Sequence, residues 1–592
     1  MNNDQINNEY QTSWNLGLLY QSPDDPQIEK DLEIHNKKRR EFAQKYKNRT
    51  DYLKEEAALL QALKEYEQLL NDLQGARPLI YFYYLTAIES HNEQAQASLN
   101  RITTELTKAS NQLTFFPIKL GKIDEAYQQK FLASQKLTKY HYLLKKRFKL
   151  AEFDLSEKEE KIINLADQTS YDMWVQGVEK LLSNITIKFN NGDLPIVAAS
   201  SKLAELPNKK RQKLHQKILK LSQDASQFAE SEINAIVKYK QIKDELRGFK
   251  KPYQSTILHY ENDQKTIVDL ASLITTNFDL AHRFFKLKAK LFKKEKLTYA
   301  DRAAKLRGIK TKYPFEKTYN LVYQIFADLD PEFAHILEYM AQKGQLDIFP
   351  KKNKEGLAFC SSSNNNPTFV LLNHTDDFDS VTTLAHEMGH AIHSELSKKQ
   401  PVIYENYSLS IGETASTFFE QFVFEKMIEG FNKKQKMIAL HNQIQEDIST
   451  IFRQIALFNF ETELHENIKS NGFLTSKQIG ELLNRHMSAY LGSSFELTEQ
   501  DGSFYILWPH IRRFFYTYTY AYGQLISKAM INKTKEDQKF ILKIKEFLSA
   551  GGSDAPSNIL KNIGIDITQE KFFKAGLTEI EQKIESLEKM IA

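Results

Sequence analysis

His386-Glu387-Met388-Gly389-His390 form an H-E-x-x-H pattern within a run of helical periodicity. Two histidines four residues apart lie on one helical face, one turn above the other. Their imidazoles can hold one Zn²⁺ between them. Glu387, beside the first histidine, can reach a water activated by such an ion and suits the role of general base. A catalytic zinc also needs a third protein ligand and one open position. One known pattern places a glycine three residues, and a third histidine six residues, past the second histidine. Those places hold His393 and Leu396, so that pattern fails. The other pattern draws a glutamate from a following helix. Glu413 opens such a run, and Glu413, Ser416 and Glu420 share one stripe of it while Phe418, Phe419, Phe422 and Val423 share the apolar side. Glu413 is the expected third ligand, and Glu420 the expected carboxylate that orients a ligand histidine. His393, one turn past His390, reads as a wall or supporting residue, because a fourth protein ligand would close the position that water needs.

Several elements must position these groups. Val381, Leu384, Ala385, Met388 and Ile392 give the motif run one apolar face, while His386, His390, His393 and Ser397 form a second stripe. Ser380 is the expected N-cap. A strand is expected over residues 367–373, just ahead of that helix. With only 21 Gly and 14 Pro, long stretches run unpunctuated. Helices are expected over 27–73 and 79–150, broken near Gly75–Pro78, and then over 156–183, 200–246, 264–295, 381–490 and from 536 to the end. A hairpin is expected at 185–193 through Asn190-Asn191-Gly192-Asp193, and a loop-rich interval at 345–380. Residues 508–523 hold the densest aromatic cluster, with His510 and tyrosines at 516, 518, 520 and 522. Spacing of two fits a strand and offsets of four fit a helix, so periodicity does not choose. As a group these tyrosines read as core. One or two hydroxyl tips, with an imidazole, would suit donation to an oxyanion. The lysine-rich segment 282–312, including Lys286, Lys288, Lys290, Lys293, Lys294 and Lys296, reads as a solvated helix face.

Composition bounds the alternatives. The 592 residues exceed one compact core, and 41% hydrophobic with 26% charged residues describes a globular chain of two or three subdomains. A net charge of +4 on 80 basic and 76 acidic side chains gives no case for nucleic acid. A single cysteine, Cys360, suits a reducing compartment. Met1–Ser13 lacks the features of a signal peptide, and no apolar stretch of about 18 residues suggests a membrane span, so a cytoplasmic address is expected.

The motif run His386–His393, followed by Gly412-Glu413-Thr414-Ala415-Ser416-Thr417, resembles the oligoendopeptidase F branch of the thimet-type zinc oligopeptidases. Trp14–Tyr20, Phe369–Asn373, and Pro509-His510 with Phe515, Tyr516, Tyr518 and Tyr520 resemble further motifs of that branch. The resemblance implies a mostly helical, two-lobed ellipsoid with a deep central channel and a small β element beside the motif helix. We divide it into an N-terminal helical lobe, 1–185, and a catalytic domain, 186–592. It implies one zinc per chain held by His386, His390 and Glu413, with Glu387 as base. It further implies that His510, Tyr516 and Tyr520 bind substrate carbonyls or the oxyanion, with Tyr518 an alternative. The segment with Phe369 and Leu371 would pair with substrate backbone. Arg512 and Arg513 stand where the branch is usually aromatic. The implied activity is cleavage of internal bonds in short oligopeptides, with no nucleic acid or membrane partner; the oligomeric state is open and compatible with a monomer. A zinc carboxypeptidase on a related helical fold is the rival enzyme, and a helical interaction protein with a vestigial metal site is the rival outside catalysis.

Overall fold

The computed structural model describes residues 10–73, 76–189, 192–363 and 365–591. Most of the Met1–Ser13 stretch, Gly75 in the expected break, and Asn190 and Asn191 of the expected hairpin turn lie outside them. Helices dominate, and among the described residues the β-structure is confined to three small sheets. The long helical stretches expected from composition are subdivided. Residues 27–73 carry Pro26–Tyr46 and Glu56–Asp72, and residues 79–150 carry five helices beginning with Arg77–Ile88. Side-chain caps set several boundaries. Asp25 accepts from the Gln27 amide, Asn92 from Ala95, and Ser156 with Glu159 closes a reciprocal box. Such caps satisfy amides that a new helix start leaves unpaired. Composition averages over them, which is why the breaks were invisible in it.

Strand β1 (Thr186–Phe189) pairs antiparallel with β2 (Gly192–Pro195), giving the expected hairpin. Strands β3 (Leu297–Thr298) and β7 (Phe495–Glu496) pair in parallel. Strand β6 (Phe369–Leu371) is the centre of the third sheet, parallel to β4 (Leu346–Asp347) and antiparallel to β5 (Phe359–Ser361). The indole of Trp14 donates to the carbonyls of Val370 and Gln345 at 2.9 and 3.1 Å, tying the N-terminal segment to this sheet. The faces of Phe369 and Leu371 join an N-terminal core with Trp14, Tyr84 and Ile102. A second N-terminal core gathers around Phe42, Leu63 and Phe116. The largest core runs from Val178 to Leu587 and encloses the motif helix.

The lysine-rich segment departs from a uniformly solvated face. Lys288 is fully buried, donating to Gln445 Oε1 and the Arg302 carbonyl, and Lys294 pairs with Asp301 at 2.6 Å. Helical period turns every third or fourth residue inward whatever its charge. No helix among the described residues is long and apolar enough to cross a membrane.

Three helices frame the site. The motif helix is Phe378–Ser397; its cap is Asp377, not Ser380, because Asp377 Oδ1 accepts from both the amide and the hydroxyl of Ser380 at 2.8 Å. The glutamate helix is Gly412–Glu429, and the tyrosine helix is Tyr518–Glu536, which settles the periodicity of the aromatic cluster as helical. Gly389 lets the first two approach closely. A Cβ there would lie 2.6 Å from Ser416 Cα and 2.9 Å from the Ala415 carbonyl oxygen, and both are backbone atoms that cannot rotate away. A Gly389→Ala protein is therefore expected to lose about 1–3 kcal/mol through overpacking. Urea unfolding reads this as a lower midpoint, and a midpoint equal to that of the native protein would mean the helices have room to spare.

Candidate active site

The motif helix and the glutamate helix bring His386, His390 and Glu413 to one point. Glu413 Oε2 lies 3.5 Å from His386 Nε2 and 3.6 Å from His390 Nε2, and all three donor atoms fall within 4.8 Å of one another. Ligand atoms about 2.0–2.2 Å from a tetrahedral zinc stand roughly 3.3–3.6 Å apart. The donor set and the separations of Glu413 from the two imidazoles therefore fit that ion. Each ring is also held from behind. Glu420 Oε2 accepts from His386 Nδ1 at 2.9 Å, and the His390 ring donates to the Gly412 carbonyl. Such anchors fix the tautomer and aim the free nitrogen inward.

The electrostatics suit a cation. Burial pushes His390 down to about 4, which keeps it a neutral ligand. Burial opposes ionisation of Glu413, but the hydrogen bond from His386 and the pull of His390 and His386, which are protonated in the acid range where this carboxyl titrates, outweigh it and hold it down at about 2. Glu387 is 7% exposed, and burial followed by the nearby carboxylates of Glu413 and Glu420 pushes it up to about 7, against the opposing pull of His386 and the Cys360 amide. Three carboxylates thus share a small region that a divalent cation would neutralise.

These groups open onto a cavity of about 1090 Å³. Its walls include β5, the two site helices, and the segment with His510, Arg513, Tyr516 and Tyr520. His510 Nε2 and Tyr520 Oη are 3.0 Å apart, and the rings of Tyr516 and Tyr520 meet edge-on at 5.3 Å. Two consecutive aromatic residues in the left-handed region, Phe514 at φ 38° and Phe515 at φ 58°, make the bend that delivers Tyr516 to the cavity. Such conformations cost on the order of 1–3 kcal/mol each. They are pinned by Thr256, which donates to the Phe514 carbonyl at 3.0 Å, and by Glu461, which accepts from the Phe515 amide at 2.8 Å. Gly523 lets the tyrosine helix approach Glu413, whose Cβ would be 3.2 Å from an added methyl group.

Other expected site residues lie elsewhere. Tyr518 is fully buried, with its hydroxyl accepting from Asn262 at 2.9 Å, and does not line the cavity. Tyr516 and Tyr520, four apart, share the cavity face of a helical turn that carries Tyr518 to the other side. Phe369 and Leu371 are fully buried in the N-terminal core, and β6 has neighbours on both sides, so it offers no edge to a peptide. Of the two edge strands, β4 and β5, it is β5 whose Phe359, Cys360 and Ser361 line the cavity. His393 is buried behind the wall, stacked on Tyr407 at 3.6 Å, and only Tyr407 reaches the cavity. Arg512 is buried in a bidentate pair with Glu232 at 2.5 and 2.8 Å, whereas Arg513 is exposed within the cavity. Sequence reasoning missed the Cys360 amide, which hydrogen-bonds to Glu387, and the ring of Tyr407. Neither has a local signature, because a backbone amide has no residue type and Tyr407 sits in an irregular connection. Cys360 itself is no nucleophile, since burial and then the Glu387 charge push its thiol well up.

Known proteins resemble this chain over most of its length. The chain is 25% identical over 603 residues to "Oligoendopeptidase F homolog" of Borreliella burgdorferi, covering 100% of both chains. It is 24% identical to "Oligoendopeptidase F, plasmid" of Lactococcus lactis subsp. cremoris, covering 85% of each. The crystal structure of oligoendopeptidase-F from Enterococcus faecium superposes with a TM-score of 0.70 at 18% identity, covering 95% of this chain and 97% of that one, which shows a shared fold. Residues 119–185 match the family model described as oligopeptidase F. Residues 203–579, well over half the chain and including every residue of the His–His–Glu cluster, match the other, and on that match the chain belongs to peptidase family M3.

Proposed function

We propose that this peptidase is a zinc-dependent endopeptidase that hydrolyses internal bonds of short oligopeptides. The observation that carries the reading is the convergence of His386, His390 and Glu413 at zinc-ligand spacing, with Glu387 beside them and a cavity wide enough for an extended peptide in front. Those three residues would hold the ion. When bound, it supplies Lewis acidity, polarising the scissile carbonyl and favouring deprotonation of the attacking water. Glu387, brought near neutrality by its burial, would accept the proton of that water and return it to the departing amide nitrogen. Burial raises the phenols of Tyr516 and Tyr520, so both keep the protons they would donate to the oxyanion. His510, pushed down to about 4 by burial and then by Arg453 and Arg513, is neutral and pairs with the Tyr520 hydroxyl. The outer edge of β5 is the backbone available to an extended substrate.

The deciding experiment is digestion of a peptide blocked at both termini, with and without a chelator. Cleavage at an internal bond, lost on chelation and restored by zinc, supports the reading. Activity confined to peptides with a free C-terminus would point to a carboxypeptidase instead. Glu387→Gln is expected to keep zinc and to lose about 10²–10⁴-fold in kcat; cleavage at the native rate would remove Glu387 as base. Glu413→Ala is expected to lose zinc on dialysis, and Glu420→Gln to weaken its retention by about 10–100-fold. Atomic emission reads both, and full retention in Glu413→Ala would exclude that carboxylate as a ligand. Tyr520→Phe is expected to lower kcat about 100–1000-fold, whereas Tyr518→Phe should leave kcat within about twofold, as its hydroxyl faces Asn262. Equal losses in the two would reject the assignment of the oxyanion donor.

A further inference from the structure

A side cavity of about 180 Å³ adjoins the main one, with Lys305 and Glu446 lining both. Its walls carry three cations, Arg302, Lys305 and Arg453, and one carboxylate among the described residues, Glu446. That carboxylate is taken: Glu446 pairs with Lys305 at 3.4 Å, and Lys305 also reaches Asp379 at 2.9 Å. Neither guanidinium pairs with a carboxylate among the described residues, although Arg302 Nη1 donates to the Tyr299 carbonyl at 3.3 Å. Arg302 lies over the rings of Tyr299 and Phe504 at 4.2 and 4.8 Å, and Arg453 stands beside the Tyr299 hydroxyl. Arg453 Nε is buried with no acceptor among the described residues. Bringing two like charges together away from bulk water is costly unless something neutralises them.

The neutral groups point the same way. Gln445 gives its carbonyl oxygen to the buried Lys288 and its amide to Ser449 Oγ at 2.9 Å. The Ser449 hydroxyl, having accepted, is left to donate. Ser449 projects from a π-helical turn, Ile448–Phe452, which leads directly into Arg453. Irregular turns of this kind recur at functional sites. Among the described side chains that line the cavity, donors thus outnumber acceptors, with Tyr490 able to serve as either. A water cluster needs both, whereas an oxyanion needs only donors. Guanidinium groups match the geometry of carboxylate and phosphate oxygens in particular.

We propose that this side cavity binds a small oxyanion between Arg302 and Arg453, with Ser449 as a further donor. The occupant is either the carboxylate of a peptide lying in the main cavity or free inorganic phosphate. Lys305 and Glu446, paired at 3.4 Å, form the boundary that a peptide side chain would have to pass. The site does not depend on peptide hydrolysis, so the two readings fail separately.

The test uses the full chain in low-salt buffer free of oxyanions, with two variants. Calorimetric titration with inorganic phosphate is expected to show saturable binding, weakened about tenfold or more in Arg453→Gln. Ser449→Asp is expected to abolish it while keeping or raising Tm, because the new carboxylate fills the place of the ligand; it also guards against misfolding of the arginine variant. In parallel, kcat/KM is compared for peptide pairs that differ only by Glu against Gln. A preference for Glu that is lost in Ser449→Asp identifies a substrate carboxylate. Variant-sensitive phosphate binding without such a preference identifies a free inorganic anion. The proposal is overturned if neither phosphate binding nor the Glu-to-Gln ratio differs among the three proteins.

Discussion

The backbone contact between Gly389 and Ser416 is the constraint on which the site depends. Two histidines on one helix give a cation two ligands, and the third must come from another helix at a fixed distance. With a side chain at 389 the helices could not approach, and the Glu413 carboxylate could not meet both imidazoles at 3.5 and 3.6 Å. Gly523 repeats the device from the opposite side, bringing the tyrosine helix against Glu413. Two absent side chains thus set the spacing of three helices. Packed interiors do not flex to forgive such spacings, so geometry at the ligands is inherited from packing behind them.

Charge explains why the site is built from so many acids. Glu387, Glu413 and Glu420 surround two imidazoles, and burial together with the carboxylates of Glu413 and Glu420 makes Glu387 harder to ionise. A cation among them would offset that repulsion. The same logic, with the sign reversed, applies at the side cavity, where two guanidiniums converge and the one lining carboxylate among the described residues, Glu446, is paired with Lys305. The candidate metal centre and the proposed anion site thus line adjoining cavities, with Arg453 close enough to influence His510.

The N-terminal segment is structurally part of the site. Trp14 closes the sheet through the carbonyls of Val370 and Gln345, and β6 in turn holds β5 at the cavity wall. The amide of Cys360 on β5 then reaches Glu387. A tryptophan more than 300 residues away in sequence is in this way linked to the candidate base through one sheet.

Residue types and local spacing determined the helical fold and the candidate site: H-E-x-x-H on one helical face, a following helix with Glu413 and Glu420, and helical dominance throughout. These are short-range properties, and helical period alone places them. The family resemblance also held, since it rests on the same motifs. Helix breaks set by capping side chains were lost in composition. Which tyrosines face the cavity, and which strand has a free edge, were decided only in three dimensions. Tyr518 and Tyr520 differ by two residues and a half-turn, and β6 looks like an edge until β4 and β5 flank it. Burial of Lys288 and Arg512, and the gathering of Arg302 with Arg453, likewise follow from contacts between segments distant along the chain. A sequence states what each residue can do, but only packing determines what each one faces.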